Sequence, residues 1–381
     1  MHVVRYTAID QLAPLAARWD ALARGVPFRQ WAWLAPWWRT YGEESGIAGP
    51  KRALFVLAVR DLAGELVGLA PWYVQQTAAQ GRVLRFLGGG EVCSDYLSIL
   101  CRPDGEEAVA EALAAWLTEV PADPADGPGL ESDRWDLLEL SGVDAEDRAV
   151  ARLADHLQAR GNSVHRRPGP NCWRIALPST WDAFLAALSK EHRKQLRRAE
   201  RKLLATGRAA LRTVERLEDL AAAQELLVAL HQQRHTARGN AGCFASRHFC
   251  EFHRRAMPEL LRSGALHLHS VELDGRPVAV EYQLGGGGVM YAYQAGVSPD
   301  HLEHSPGHLA HMITLRWAIE HGYRAFDFLR GDEPYKAHWR AAPRPGAEIR
   351  AIPARPSARL RHSLWLAGSR VRKWIKGRVG S

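Results

Sequence analysis

Two stretches of the chain follow one plan, and that repetition limits the folds open to it. Residues 54–74, LFVLAVRDLAGELVGLAPWYV, read as strand, turn and strand, with the turn around Asp61 and Gly64. Residues 266–284, LHLHSVELDGRPVAVEYQL, read the same way around Asp274-Gly275. An Asp-Gly pair between alternating apolar runs is a strong hairpin signal. Each hairpin follows a helix-rich segment and leads to another strand, RVLRFLG (82–88) or VMYAYQAG (289–296). A tandem duplication of one α/β unit accounts for both.

Length agrees, because 381 residues exceed one ordinary core. We expect domains at 1–165 and 166–350, followed by a basic tail at 351–381. The first closes with helix 105–119, a Pro/Gly/Asp-rich loop (121–129), strand 135–140 and helix 145–160. The second has helices 181–206, 217–235, 246–262 and 306–321, with Ser305-Pro306 as an N-cap and first-turn proline. Strand 324–329 follows. The tryptophans of WAWLAPWW (31–38) recur at helical spacing and read as core packing. Gly285 to Gly288 read as a hairpin turn, since no helix follows them.

With 46% hydrophobic and 24% charged residues, the chain reads as globular. No apolar run of membrane-spanning length occurs, and the start MHVVRYTAID lacks a signal-peptide core, so a cytoplasmic location is expected. Five cysteines without a CxxC pair suit reduced thiols. Cys243, His248, Cys250 and His253 match no common zinc spacing and read as part of a packed helix. The net charge of +8 resides in residues 355–381, with eight Lys/Arg and no acid, while the remainder balances at 42 basic against 42 acidic residues. That balance disfavours a DNA-binding body.

Chemistry concentrates between Tyr291 and Lys336: strand, loop, helix, then the strand of FDFLRGDEPYKAHW (326–339). A loop entering a helix N-terminus can hold an anion, although an ordinary capped helix fits the same residues. A carboxylate within an apolar strand is costly unless paired, which singles out Asp327. Strand alternation sets Asp327 opposite Phe326 and Phe328. On the preceding hairpin, Glu281 lies out of phase with the core-facing Val278, Val280 and Tyr282; it is the second candidate base after Asp327, with surface exposure as its plain reading. The helix SKEHRKQLRRAERKL carries seven bases around an apolar stripe of Leu185, Leu188, Leu196, Ala199 and Leu203. A solvated face, or a surface for phosphate-rich donors, acidic carrier proteins or tRNA, fits it.

The wording SPG…L…AI..G….FDFLRGDEPYK..W closely resembles the CelD-type branch of the GNAT acyltransferases, related to the FemAB transferases with two GNAT domains. The likeness spans residues 5–345. It includes Trp19, Phe28, Trp33 and Trp37, LGGGEVCSDY (87–96), the basic helix and ALHQQRH (229–235). It implies two tandem GNAT-like domains, α/β (α+β), each a mixed, mostly antiparallel sheet flanked by helices. The implied activity is transfer of an acyl group from a thioester, acyl-CoA or acyl carrier protein, to an amine such as an amino-sugar intermediate of exopolysaccharide or cell-envelope synthesis. A FemAB-like aminoacyl-tRNA-dependent ligase and a non-catalytic accessory protein are the alternatives.

The family's pyrophosphate loop is degenerate here, with Gln294-Ala-Gly296 and Ser305-Pro-Gly307 in its place. The resemblance therefore assigns the donor to Gln294, Ser305, Gly307 and His308. Asp327 is expected in the cleft as the base, with Lys336 pairing with it or holding an anionic group. The alternative is a structural ion-pair network at a strand end. His231, Arg234, Tyr282, Arg330 and Tyr335 are the expected acceptor-side residues, and no metal is expected. In the tail, Leu360, Leu364, Ala367, Val371 and Trp374 share a helical face flanked by bases, which suits an anionic membrane surface. A disordered basic tail is the alternative.

Overall fold

The computed structural model describes residues 1–42, 51–119, 134–300 and 305–366. The loop expected at 121–129, residues 301–304 and the tail beyond 366 lie outside the described residues. Contacts divide the chain into two units. One comprises residues 1–24, 37–169 and 346–381, and the other residues 25–36 and 170–345.

The first unit opens with β1 (His2–Tyr6), α1 (Ala16–Leu22) and part of α2 (Trp31–Tyr41). Strands β2 (Arg52–Arg60), β3 (Leu66–Thr77), β4 (Gly81–Phe86), the short β5 (Leu100–Cys101) and β6 (Leu137–Asp144) follow. Helix α3 (Glu106–Glu119) precedes β6, and α4 (Arg148–Ala159) follows it. The ladders β1–β2, β2–β3 and β3–β4 are antiparallel, and β4–β6 is parallel over Val83–Leu137 and Leu84–Leu138.

The second unit repeats that order. Strand β7 (Ser163–Ala176) leads through α5 (Trp181–Ala187) and α6 (Lys190–Ala199) to β8 (Ala209–Thr213). Helices α7 (Leu217–Thr236) and α8 (Arg247–Arg262) precede the hairpin β9 (Leu266–Leu273) and β10 (Arg276–Gly286). Then come β11 (Val289–Val297), α9 (Pro306–Glu320), β12 (Ala325–Arg330) and α10 (Pro334–His338); β13 (Ala342–Ile352) follows and from Gly346 belongs to the first unit, where it pairs antiparallel with β6. Strands β8 to β11 form antiparallel ladders in sequence order, β11–β12 is parallel, and β12 pairs antiparallel with residues 172–176 of β7. Each unit is thus a largely antiparallel sheet with helices, containing one parallel pair after a connecting helix.

The β9–β10 turn forms at Asp274 (φ 51°) and Gly275 (φ 76°), the paired positive φ of a type I′ turn. The single helix expected at 181–206 is two helices. Leu188 is extended, and Ser189 starts α6 by accepting a 3.3 Å hydrogen bond from the His192 N–H. Trp33 and Trp37 are buried, as their spacing implied. Helix 356–366 leaves Leu360 and Leu364 exposed, 63% and 65%. No helix among the described residues is long and apolar enough to cross a membrane.

Candidate acyl-transfer site

Strands β11 and β12 pair for three residues only, ending at Tyr291–Asp327. At the same level the β10–β11 register shifts between Tyr282 and Gln283, leaving Tyr293 as the extra residue. A bulge of this kind bends its strand and re-aims side chains. Between the parted strands lies a cavity of about 510 Å³. Residues 292–295 and Val297 of β11 form one wall, Phe328 and Arg330 of β12 another, and Gly307, His308 and His311 of α9 close one end. Glu281 of β10, Arg234 and His235 of α7, and Glu333, Tyr335, Lys336 and Trp339 complete it.

Glu281 is the chemically distinctive group. It is 1% exposed, and its Oε1 is buried without a hydrogen-bond partner. Burial pushes its pKa up to about 8, against the opposing pulls of the neighbouring Gln283 side-chain amide and of the Arg234 charge. A carboxyl group so tuned can take a proton near neutral pH. Arg234 is half-buried, and desolvation draws its own pKa down.

The start of α9 shapes the cavity's other end. Ser305 adopts φ 49° and makes no side-chain cap, contrary to its expected role. Its carbonyl instead accepts the His308 and Leu309 N–H groups at 2.9 and 3.0 Å. Pro306 has no N–H, so Gly307 bears the first one of the helix. His311 holds the Gly307 carbonyl through Nδ1 at 2.6 Å. Desolvation lowers the pKa values of His308 and His311 to about 4, so both imidazoles are neutral.

Several expectations require correction. Asp327 does not line the cavity. It is fully buried, and its Oδ2 accepts a 2.7 Å hydrogen bond from Arg174 Nε on β7. Its Oδ1 accepts the Leu329 N–H at 2.8 Å, securing a residue at φ 58°. Phe328 faces the cavity, so the alternation along β12 turns Asp327 to the other face.

Lys336 lines the cavity but does not pair with Asp327. Its buried Nζ donates to the carbonyls of Leu329, Arg330 and Gly331 at 3.2, 2.8 and 2.9 Å and meets Glu333 at 2.8 Å. It therefore fastens the turn after β12.

Tyr282 is fully buried, its hydroxyl 3.4 Å from His253 Nδ1, and it lies outside the cavity lining. His231 is also buried outside it, with Nδ1 3.0 Å from Gln232 Oε1 and Nε2 3.4 Å from Cys243 Sγ. Ser305 is absent from the lining, whereas Gln294, Gly307, His308, Arg234, Arg330 and Tyr335 belong to it.

The sequence reading set Glu281 on the surface. In the structure both faces of β10 are covered, because Ala279, Glu281 and Gln283 are as buried as Val278, Val280 and Tyr282. An antiparallel strand can keep one face in water, but here α7 and α9 both pack on β10 and leave it none. Trp339 enters the sequence reading only as the last residue of the family-like wording and His311 carries no signal of its own, since helical or apolar patterning alone does not distinguish either from core.

Residues 190–337 match the acetyltransferase (GNAT) domain family. Over 94% of this chain, the structure is similar to that of FemX, with TM-score 0.62, 14% identity and 99% of that chain covered. It is also similar to the C-terminal domain of a candidate lysylphosphatidylglycerol synthetase from Agrobacterium fabrum, with TM-score 0.52, 10% identity, and 93% and 94% of the two chains covered. A conserved protein of unknown function from Bacteroides thetaiotaomicron gives TM-score 0.51 at 10% identity, over 92% of this chain and all of that one. The fold is GNAT-like. No curated protein matches the sequence. The parted parallel strands and the helix after the bulged strand lie within the matched segment.

Proposed function

We propose that the chain is an N-acyltransferase that moves an acyl group from a thioester to an amine inside the cavity between β11 and β12. The observation that carries this reading is Glu281, a buried carboxylate in the cavity with an unpartnered oxygen and a pKa near 8. Attack on a thioester needs an uncharged amine. Glu281 accepts the proton as nitrogen bonds to the acyl carbon, and the thiolate leaves. Beyond Tyr291 the edge of β11 has parted from β12, so backbone N–H groups there suit the developing oxyanion. The Gly307 N–H and the positive end of α9 suit the anionic part of acyl-CoA or of an acyl carrier protein's prosthetic arm.

Arg234 and Arg330 favour an acceptor that carries negative charge beside its amine. The amino-sugar class, in exopolysaccharide or envelope synthesis, is supported by the CelD-like wording of residues 326–336. A role at an anionic membrane is supported by the exposed Leu360 and Leu364 and by the basic tail. Failure of the full-length protein to sediment with anionic vesicles at low salt would remove that role.

The FemX-like fold and the exposed bases of α6, among them Lys190, Lys194, Arg197 and Arg198, favour a second reading, an aminoacyl-tRNA-dependent ligase. Mass spectrometry of products from a panel of acyl-CoA, acyl carrier protein and aminoacyl-tRNA donors with amino-sugar and peptide amines separates the two. Acylated amine from thioester donors supports the first. Product from aminoacyl-tRNA alone supports the second, and no product from any donor overturns both.

A further inference from the structure

Three histidines from separate elements converge at the first turn of α9. His308 belongs to that turn, His192 to the first turn of α6, and His338 ends α10. One ring nitrogen of each lies within 4.8 Å of the other two. His192 Nε2 and His308 Nε2 are 3.0 Å apart.

Tetrahedral zinc with bonds of 2.0–2.1 Å sets its ligand nitrogens about 3.3 Å apart, so this pair is already spaced for one ion. The His338 ring stacks on His192 with centroids 4.0 Å apart. His338 is exposed at a helix end, and the site requires a change of its side-chain rotamer to bring a nitrogen to the same point.

The surroundings suit a metal centre. His192 is 1% exposed, and its other nitrogen, Nδ1, is buried with no hydrogen-bond partner. Trp339 packs on both His192 and His308, with centroids 4.7 and 4.8 Å away, which gives the site an apolar wall. Such a wall limits competition from water. A cluster of imidazoles without a carboxylate selects Zn²⁺, Co²⁺ or Ni²⁺ over Mg²⁺ or Ca²⁺.

We propose that His192, His308 and His338 form a three-histidine site for a divalent transition metal, Zn²⁺ foremost, with a fourth position for an exchangeable ligand. The ion ties the starts of α6 and α9 to the end of α10. His308 also lines the cavity, so the ion adds positive charge at the cavity's edge. The proposal stands apart from the acyl-transfer reading, and its test reads metal binding alone.

Full-length protein, freed of any histidine tag and stripped with chelator, is titrated with Co²⁺. The expected result is a visible tetrahedral Co²⁺ spectrum that saturates at about one equivalent and is displaced by Zn²⁺. His338→Ala alters only an exposed side chain, so it should fold normally while weakening Co²⁺ at least about tenfold. His308→Ala should abolish the spectrum, and His321→Ala, at an exposed position outside the cluster, should leave it unchanged. No spectrum from folded wild-type protein, or one unchanged in both His338→Ala and His308→Ala, overturns the proposal.

Discussion

Asp327 on β12 accepts a 2.7 Å hydrogen bond from Arg174 on β7, and the pair lies on the opposite side of the strand from Phe328, which lines the cavity. Removing the charge from a buried ion pair leaves the partner poorly compensated. Asp327→Asn should therefore lower stability by roughly 2–3 kcal/mol, with the turnover of the folded protein close to wild type. Urea denaturation and steady-state rates on the same preparations check this. Normal stability with lost turnover would return Asp327 to the chemistry.

Lys336 holds three carbonyls that converge because Leu329 (φ 58°) and Gly331 (φ 111°) turn the chain sharply. Lys336→Met keeps the length of the side chain and deletes the donor. It should cost roughly 2–3 kcal/mol and raise KM by loosening the segment that carries Arg330 and Tyr335. Lys336→Arg should rescue neither, since the buried site fits one ammonium rather than a planar fork. Thermal melts and KM values for the two variants decide.

Two glycines near the cavity should behave differently. A Cβ on Gly296 would lie 2.8 Å from the His231 backbone nitrogen and 3.0 Å from the Leu227 carbonyl oxygen, so β11 could no longer lie against α7. A Cβ on Gly307 meets only Val297 Cγ2 at 3.7 Å. Gly296→Ala should lower the melting temperature, and Gly307→Ala should not. Gly307→Asp should weaken thioester-donor binding in calorimetry through like-charge repulsion. Unchanged donor affinity in that variant would place the donor elsewhere.

The duplicated hairpins were legible because turn residues (Asp61 and Gly64 in one, the Asp274-Gly275 pair in the other) and strand alternation are local signals, and the β2–β3 and β9–β10 ladders lie where those signals fall. The phases of Asp327 and Glu281 were legible for the same reason. What alternation cannot supply is which face meets the cavity, because that depends on where β11 and β12 part and on which helices cover β10. Hence Asp327 was assigned to the cleft and Glu281 to solvent, each on the wrong side of a correctly phased strand. The histidines at 192, 308 and 338 carry no spacing signal, since only the tertiary fold brings them together.

Burial of Glu281 also sets a stability profile. Its folded pKa near 8 stands above its ordinary value of 4.5. Between these values the unfolded chain holds fewer protons at this position, so stability falls as pH rises from about 4.5 to about 8 and levels above that. Glu281→Gln lacks this fall. At pH 9 the variant should melt above wild type, and the difference should shrink toward pH 5. A constant difference across that range would show that burial does not perturb Glu281.

The pH–rate profile of acyl transfer, followed as thiol release from an acyl-CoA in the presence of an accepted amine, tests the central claim most directly. In wild type, kcat/KM should rise with pH and level near the Glu281 pKa of about 8. Glu281→Gln should lower kcat by about 10²-fold or more and abolish that limb of the profile. A Glu281→Gln enzyme with wild-type rates and an unchanged profile would contradict the assignment of Glu281 as the base.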